Sequence, residues 1–250
     1  MRKIIVLIIC SLLGLYIFSG CQTSQPEPPE VKPEIAANDY TNGTYTGFSN
    51  TGENGYAWAK VTIKNDDITD VKLMEITAQG NKKDYETYDY QPSVQAYQEM
   101  PSRFEEADSA DVDVYSKATD SSKKYKEAVA RALAYARGSE TGSNSYEGKF
   151  QGESERTEYG YAVAIVTIKE DKMNDVKLKE TDGEGEWKDF STYKYEPAVQ
   201  ANEEMAERFV EENSIEVDLY SEATQSSIRY VEAVENALKH ARKDLDYEIE

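Results

Sequence analysis

Residues 112–136 read VDVYSKATDSSKKYKEAVARALAYA, and residues 217–241 read VDLYSEATQSSIRYVEAVENALKHA. Each stretch predicts the end of a strand, a polar turn and then an amphipathic helix, because apolar residues recur at the i, i+3, i+4 and i+7 spacing of one helical face. In the first copy this face consists of Tyr125, Ala128, Val129, Ala132, Leu133 and Ala136. The stretch decides the fold of its half of the chain, and its recurrence predicts two domains.

The repetition extends well beyond these helices. Residues 43–137 align without gaps with residues 148–242, at a constant spacing of 105 residues. A repeat of this size is typical of a duplicated domain, since solenoid units have only about 20–50 residues. We therefore predict one domain at residues 43–138 and a second at residues 148–243. A Gly/Ser-rich linker at residues 139–147 separates them, and residues 244–250 form a C-terminal tail.

Each domain is predicted to be α+β, with a small antiparallel sheet packed against two helices. The clearest strand has apolar residues at every second position, which places them on one buried face. These residues are Ala57, Ala59, Val61 and Ile63 in the first copy and Ala162, Ala164, Val166 and Ile168 in the second. Pro92 and Pro197 mark the first turn of a further helix. Pro101 is expected to bend or end that helix in the first copy, where the second copy has Ala206.

Residues 1–20 are predicted to be a lipoprotein signal peptide. Two basic residues precede an apolar run at residues 4–18, which is short for a spanning helix and typical of a signal-peptide core. The run ends in FSGC, which resembles a bacterial lipobox, and this implies lipidation of Cys21; an uncleaved signal anchor is the alternative. Residues 21–42 are rich in Pro and Glu and predict a semi-rigid spacer. We expect a lipid-anchored protein on the outer face of a Gram-positive cell membrane.

Composition excludes several classes of function. The chain has two cysteines and one histidine. Cys10 lies in the predicted signal peptide and Cys21 would carry lipid, which leaves no thiol nucleophile, disulfide or cysteine-ligated metal. A single histidine, His240, makes a histidine triad or a His-rich metal site improbable. The formal net charge of −20 is unfavourable for binding nucleic acid.

A cluster of hydroxyl side chains precedes each helix of the repeated stretch. The members are Ser116, Thr119, Ser121 and Ser122 in the first copy, and Ser221, Thr224, Ser226 and Ser227 in the second. Ser or Thr at a helix start accepts hydrogen bonds from free backbone N–H groups, and this accounts for one or two hydroxyls in each cluster. A helix N-terminus is also a phosphate site, because N–H donors and the positive end of the helix dipole converge there. The spacing alone leaves capping and anion binding open.

The pattern D-x-x-S-x-A-T-x-S-S before an A-V-x-x-A-L helix resembles the C-terminal part of the FMN-binding domain family. That family occurs in subunits of sodium-pumping and electron-bifurcating membrane complexes and in surface lipoproteins of Gram-positive bacteria. Its S-G-A-T threonine carries FMN through a phosphoester bond made by a flavin transferase. The resemblance implies FMN at Thr119 and Thr224, with the rest of the motif at Asp113, Ser116, Ser121, Ser122, Asp218, Ser221, Ser226 and Ser227.

The motif departs from the family pattern at its glycine, which is replaced by Lys117 in the first copy and by Glu222 in the second. Glycine enters the left-handed region of backbone conformation freely, whereas a residue with a Cβ pays about 1–2 kcal/mol there. If the turn of the family needs that conformation, both turns should be strained or reshaped. Either a strained or a reshaped turn would affect the attachment of FMN to the threonine that follows it.

A segment rich in aromatic residues precedes the first helix of each domain. It contains Tyr85, Tyr88 and Tyr90 in the first copy and Trp187, Phe190, Tyr193 and Tyr195 in the second. Such side chains are either half-buried residues around a small core or flat surfaces for stacking on a flavin ring. Both interpretations remain open at this point.

The resemblance implies an electron carrier rather than a catalyst with its own substrate. FMN at the two threonines would receive electrons from a quinol-linked donor in the membrane and pass them to an extracellular acceptor. A flavin transferase is the further expected partner. One alternative is a non-redox surface module of the same fold that has lost the flavin and binds another molecule. Another is a reductase with a dissociable flavin, which no residue beyond the fold supports.

Overall fold

A computed structural model describes residues 39–138 and 143–243. The predicted signal peptide, Cys21, most of the spacer, residues 139–142 and the tail at residues 244–250 lie outside these ranges. Within them, no helix combines the length and apolar character needed to cross a bilayer.

The same order of elements occurs in residues 39–138, here named the first unit, and in residues 143–243, named the second unit. Each unit has a three-stranded antiparallel sheet whose strands pair in sequence order, followed by two long helices. The first unit contains β1 (Gly43–Phe48), β2 (Tyr56–Lys64), β3 (Asp67–Ile76), α1 (Gln91–Ala107) and α2 (Thr119–Ala136). The second contains β4 (Gly148–Glu153), β5 (Ala162–Lys169), β6 (Lys172–Glu180), α3 (Glu196–Glu212), a 3₁₀ turn (Ser221–Ala223) and α4 (Thr224–Ala241). The predicted α+β class is confirmed.

The core of each unit lies between the sheet and its two helices. The four alternating residues of β2, from Ala57 to Ile63, are almost fully buried, and so are their counterparts on β5. The apolar face of α2 packs on them, with Tyr125 fully buried. Burying a large apolar side chain stabilises the fold by about 1.5–3 kcal/mol. The alternating pattern and the helical spacing therefore identified the two layers of the core.

A glycine in the first strand of each unit lets the last helix lie directly on the sheet. A Cβ on Gly47 would stand 2.1 Å from the carbonyl oxygen of Ala128 on α2. A Cβ on Gly152 would stand 2.2 Å from the backbone nitrogen of Ala237 on α4. No side chain fits at either position, so the glycines set the distance between helix and strand.

Helix α1 continues through Pro101 to Ala107, so the proline does not end it. Helix α3, which has alanine at the corresponding position, has the same length of 17 residues. Met100 and Phe104 flank the proline and are fully buried against the sheet. Their packing offsets the loss of one backbone hydrogen bond.

The two units are in direct contact. The rings of Phe48 and His240 stack across the boundary with their centroids 3.9 Å apart. The backbone N–H of Thr51 donates to the carbonyl oxygen of Lys149 at 2.8 Å, which joins the loop after β1 to strand β4. These contacts join the two units directly.

Candidate functional site at the start of helix α2

Thr119 is the first residue of α2, and its side chain is exposed. Within the part of the chain that the structure describes, its hydroxyl group has no hydrogen-bond partner. It lines a cleft of about 380 Å³ together with parts of the loops at residues 53–54, 77–79, 83–93 and 117–121. This volume lies in the range of about 300–1,000 Å³ that is usual for cofactor sites. An unused hydroxyl group therefore faces a cavity large enough for a cofactor.

The turn before α2 has the backbone conformation that glycine favours. Lys117 has a φ of +65°, in the left-handed region, and the Tyr90 hydroxyl donates to its carbonyl oxygen at 2.6 Å. In the second unit the turn is reshaped, because Glu222 lies in the 3₁₀ turn, where Tyr195 donates to its carbonyl oxygen at 2.7 Å. Both expected outcomes occur: the first turn is strained by about 1–2 kcal/mol and the second has changed conformation.

The hydroxyl groups of Ser122 and Ser227 are committed to the backbone. Ser122 donates to the carbonyl oxygen of Ala118 at 2.8 Å and accepts from the N–H of Tyr115 at 2.9 Å. Ser227 makes the same pair of bonds in the second unit. These two serines fasten the turn to the helix and do not line the clefts, so part of each hydroxyl cluster has a structural role.

The remaining motif residues fall into two groups. Ser121 and Ser226 are buried and line the floors of their clefts, and Ser221 lines the second cleft. Ser116 is exposed and lines neither, and the same holds for both motif aspartates, Asp113 and Asp218. The carbonyl oxygens of these aspartates accept hydrogen bonds from Arg103 and Arg208. The structure therefore brings the two threonines, together with Ser121, Ser221 and Ser226, to the clefts. It does not bring the two aspartates there.

A buried carboxylate, which the sequence analysis did not identify, lies at the floor of the first cleft. Glu75 on β3 accepts from Lys124 at 2.7 Å and from the Tyr125 hydroxyl at 3.0 Å, and Lys83 lies 3.5 Å away. Burial alone would raise the pKa of Glu75, but the charge and hydrogen bond of Lys124, together with Ser121 and Lys83, lower it below its usual value. The Glu75 carboxylate is therefore ionised and forms ion pairs with the ammonium groups of Lys124 and Lys83.

The second unit repeats this network. Glu180 is fully buried, with Lys188 at 3.1 Å and the Tyr230 hydroxyl at 3.0 Å, and it also accepts from Arg229. Burial and the nearby carboxylate raise the pKa of Tyr230, so this tyrosine stays protonated and donates. The only signal in the sequence is a glutamate at an inward-facing position of each third strand.

Lys83 brings a positive charge to the wall of the first cleft. Its ammonium group donates to the Ser93 hydroxyl at 2.9 Å and lies 3.9 Å from the centre of the Tyr88 ring. The Ser93 hydroxyl is in turn 3.0 Å from that of Ser121. Cation and ring attract each other by about 0.5–2 kcal/mol. The cleft thus presents a cation and an aromatic face side by side.

The aromatic residues of this segment divide between core and cleft. Tyr85 belongs to the core, since its ring stacks on Tyr97 at 3.9 Å and its hydroxyl lies 2.6 Å from that of Tyr125. Tyr88 and Tyr90 are 39% and 50% exposed and line the cleft. In the second unit the cleft residues are Tyr193 and Tyr195, while Phe190 packs on Tyr193 and Trp187 on Tyr161. The packing interpretation therefore holds for Tyr85, while Tyr88 and Tyr90 lie where they could stack on a flavin ring.

The second cleft differs from the first. Thr224 is exposed and lines a cleft of about 370 Å³, but its hydroxyl donates to the carbonyl oxygen of Ser221 at 3.1 Å. Glu158 and Tyr159, the counterparts of the residues that close one side of the first cleft, line a separate depression of about 510 Å³. The space that is continuous in the first unit is therefore divided in the second. Over both described ranges, no three side chains of His, Cys, Asp or Glu cluster as metal ligands would.

Comparison with known proteins finds a family whose sequence model matches the segment that contains the first cleft. The sequence model of the FMN-binding domain matches residues 52–134, a range that contains β2, β3, α1, most of α2 and the residues that line the cleft of Thr119. A solved structure, the CPE2226 protein from Clostridium perfringens, is similar at 19% identity over 39% of this chain and 88% of its own, with a TM-score of 0.34. No curated protein matches the sequence. Residues 52–134 thus have the sequence of an FMN-binding domain, which supports a flavin-binding role for the first unit.

Proposed function

We propose that the protein is an electron carrier that binds FMN in the cleft beside Thr119. One observation supports this above all: an exposed threonine hydroxyl without a partner in the described chain lines a cleft of cofactor size, within the segment that matches an FMN-binding domain. Thr224, the corresponding residue of the second unit, lines its own cleft, but its hydroxyl donates to the carbonyl oxygen of Ser221.

The residues of the first cleft fit the parts of FMN. The first intrahelical bond of α2 joins the Ser122 N–H to the Ala118 carbonyl, so the N–H groups before it have no intrahelical acceptor and suit a phosphate. The Thr119 hydroxyl lies at this end and could hold the phosphate through an ester. Tyr88 and Tyr90 offer flat faces to a ring, and Lys83 places a positive charge beside them. When bound, FMN would supply the redox chemistry.

We propose the cellular setting from the sequence alone. A signal peptide and a lipid on Cys21 would hold the chain on the outer face of the membrane, beyond the Pro/Glu-rich spacer. A quinol-linked donor in the membrane would deliver electrons, and an extracellular acceptor would receive them. A flavin transferase would attach the cofactor, and this covalent bond would keep the flavin on an exported protein.

Intact-protein mass spectrometry of the chain co-produced with a flavin transferase and FAD tests the proposal. The wild-type protein should gain the mass of FMN, and Thr119→Val should lose that gain. Thr44→Val, at an exposed threonine of β1, is the control and should gain as much as the wild type. A wild-type chain without added mass refutes covalent attachment, and one that also fails to retain free FMN refutes flavin binding.

A non-redox surface module is the second candidate. It is favoured by the turn at Glu222, which has lost the left-handed conformation that the turn at Lys117 keeps. The same experiment separates the two functions, because a chain that takes up no flavin in either form supports the surface module.

A further inference from the structure

The first unit does not build the wall of its cleft alone. The loop after β3, residues 77–80, contributes Thr77 and Gln79 to the cleft of Thr119. Three of its backbone carbonyl groups accept hydrogen bonds from side chains of the second unit. These bonds run from Gln151 to Thr77 at 2.9 Å, from the Tyr161 hydroxyl to Gln79 at 2.8 Å, and from Arg156 to Gln79 at 3.3 Å and to Gly80 at 3.0 Å.

These donor side chains are themselves held in place. The guanidinium group of Arg156 lies 3.7 Å from the centre of the Tyr161 ring, so each residue supports the other through a cation–π contact. Gln151 is 1% exposed and also bonds Thr51 at 3.1 Å. A Cβ on Gly80 would stand 2.3 Å from the Cγ of Glu153, which shows how closely the second unit packs on the loop.

The equivalent loop of the second unit, residues 182–185, has no such support among the described residues. Its hydrogen bonds are local: the carboxylate of Asp182 accepts from the N–H groups of Glu184 and Glu186, both at 3.0 Å. The unit whose loop lacks this support is also the one with the divided cleft and with a Thr224 hydroxyl that is already hydrogen-bonded.

We propose that the second unit braces the cofactor cleft of the first, with Arg156 and Tyr161 as positioning residues that fix residues 77–80, and that the chain binds a single FMN, in the first cleft. The identity of the ligand rests on the function proposed above. A wall that is fixed in advance leaves less freedom to lose on binding, and so raises affinity. The second unit would then raise the affinity for FMN through residues 77–80, without contacting the flavin itself.

Titration of the full chain with free FMN, in the absence of a flavin transferase, tests the brace. Each of Arg156→Gln and Tyr161→Phe should weaken FMN binding about fivefold, the effect of one ordinary hydrogen bond. Arg156→Lys keeps a cationic donor and should recover at least half of the lost affinity. The matched controls are Arg208→Gln and Tyr220→Phe, a similar Arg–Tyr pair inside the second unit, and they should bind like the wild type.

Hydrogen exchange of the unliganded chain gives a second readout. The amides of Thr77, Gly80 and Asn81, which bond within their own loop, should exchange at least about tenfold faster in Arg156→Gln than in the wild type or in Arg208→Gln. Unchanged FMN affinity in the two brace variants, or two FMN per wild-type chain, overturns the proposal. If the wild type binds no free FMN, exchange alone decides: faster exchange supports the brace, and unchanged exchange refutes it. The proposed function fails only if the wild type also gains no FMN mass with the transferase.

Discussion

His240 makes the stability of the protein depend on pH in a window that can be worked out from the structure. Its ring is buried, stacks on Phe48 of the other unit and has its Nδ1 atom 2.7 Å from the carbonyl oxygen of Gln151. Burial lowers the pKa of His240 to about 4, a change that the bond to Gln151 opposes and the charge of Lys239 increases. The folded chain therefore carries a neutral histidine at neutral pH.

The sign of the effect follows from proton binding. Below a pH of about 6.5 the unfolded chain binds a proton at this histidine, whereas the folded chain binds it only near pH 4. Acid therefore favours the unfolded state throughout this window, and stability falls as the pH falls. A shift of this size corresponds to a loss of about 3 kcal/mol between pH 7.5 and pH 4.

Urea denaturation at several pH values, followed by circular dichroism, measures this loss. His240→Phe keeps an aromatic ring on Phe48 but has no titrating group, so it serves as the reference. Carboxylates titrate in both proteins, and their contribution cancels in the difference. We expect the free energy of unfolding of the wild type to fall by about 3 kcal/mol more than that of the variant. Parallel curves for the two proteins would show that the buried histidine does not titrate as the structure implies.

Three further predictions test the geometry of the first unit, one of them with a control in the second unit, and each is measured by chemical denaturation. Lys117→Gly should stabilise the chain by about 1 kcal/mol, because glycine relieves the left-handed turn, while Glu222→Gly should bring no gain; equal effects would contradict the difference between the turns. Glu75→Gln should cost about 3–5 kcal/mol, since it leaves the buried Lys124 and the half-buried Lys83 without their carboxylate, and a change below about 1 kcal/mol would contradict the network. Gly47→Ala should cost about 1–3 kcal/mol or prevent folding, because its Cβ would collide with α2; a neutral result would disprove the close approach.

The layers of the fold could be predicted because they depend on periodic burial. Apolar residues at alternate positions of β2 and at the i, i+3 and i+4 positions of α2 indicate which faces are buried. The structure buries those faces. The place of Thr119 at the start of a helix followed in the same way, from a polar turn before an apolar period. These features depend on neighbours in sequence, which a single chain displays.

The features that could not be predicted depend on residues distant in sequence. Glu75 is one of 48 acidic residues, and nothing local distinguishes a carboxylate that meets two lysines from one that meets water. The bonds from Arg156 to the first unit join residues 76 and 77 positions apart, and no local pattern in the sequence indicates such a contact. The turns at Lys117 and Glu222 occupy the same place in the repeat, yet their backbones differ.

The aromatic boundary between the units limits how far the protein can be shortened. A fragment that ends at residue 138 would contain every position of the FMN-binding match but would expose Phe48 and Tyr56, which now pack against His240. It would also lack the side-chain donors of the second unit that hold the loop at residues 77–80. Such a fragment should aggregate in solution and bind flavin weakly. The smallest fragment in which the first cleft can be studied is therefore the pair of units.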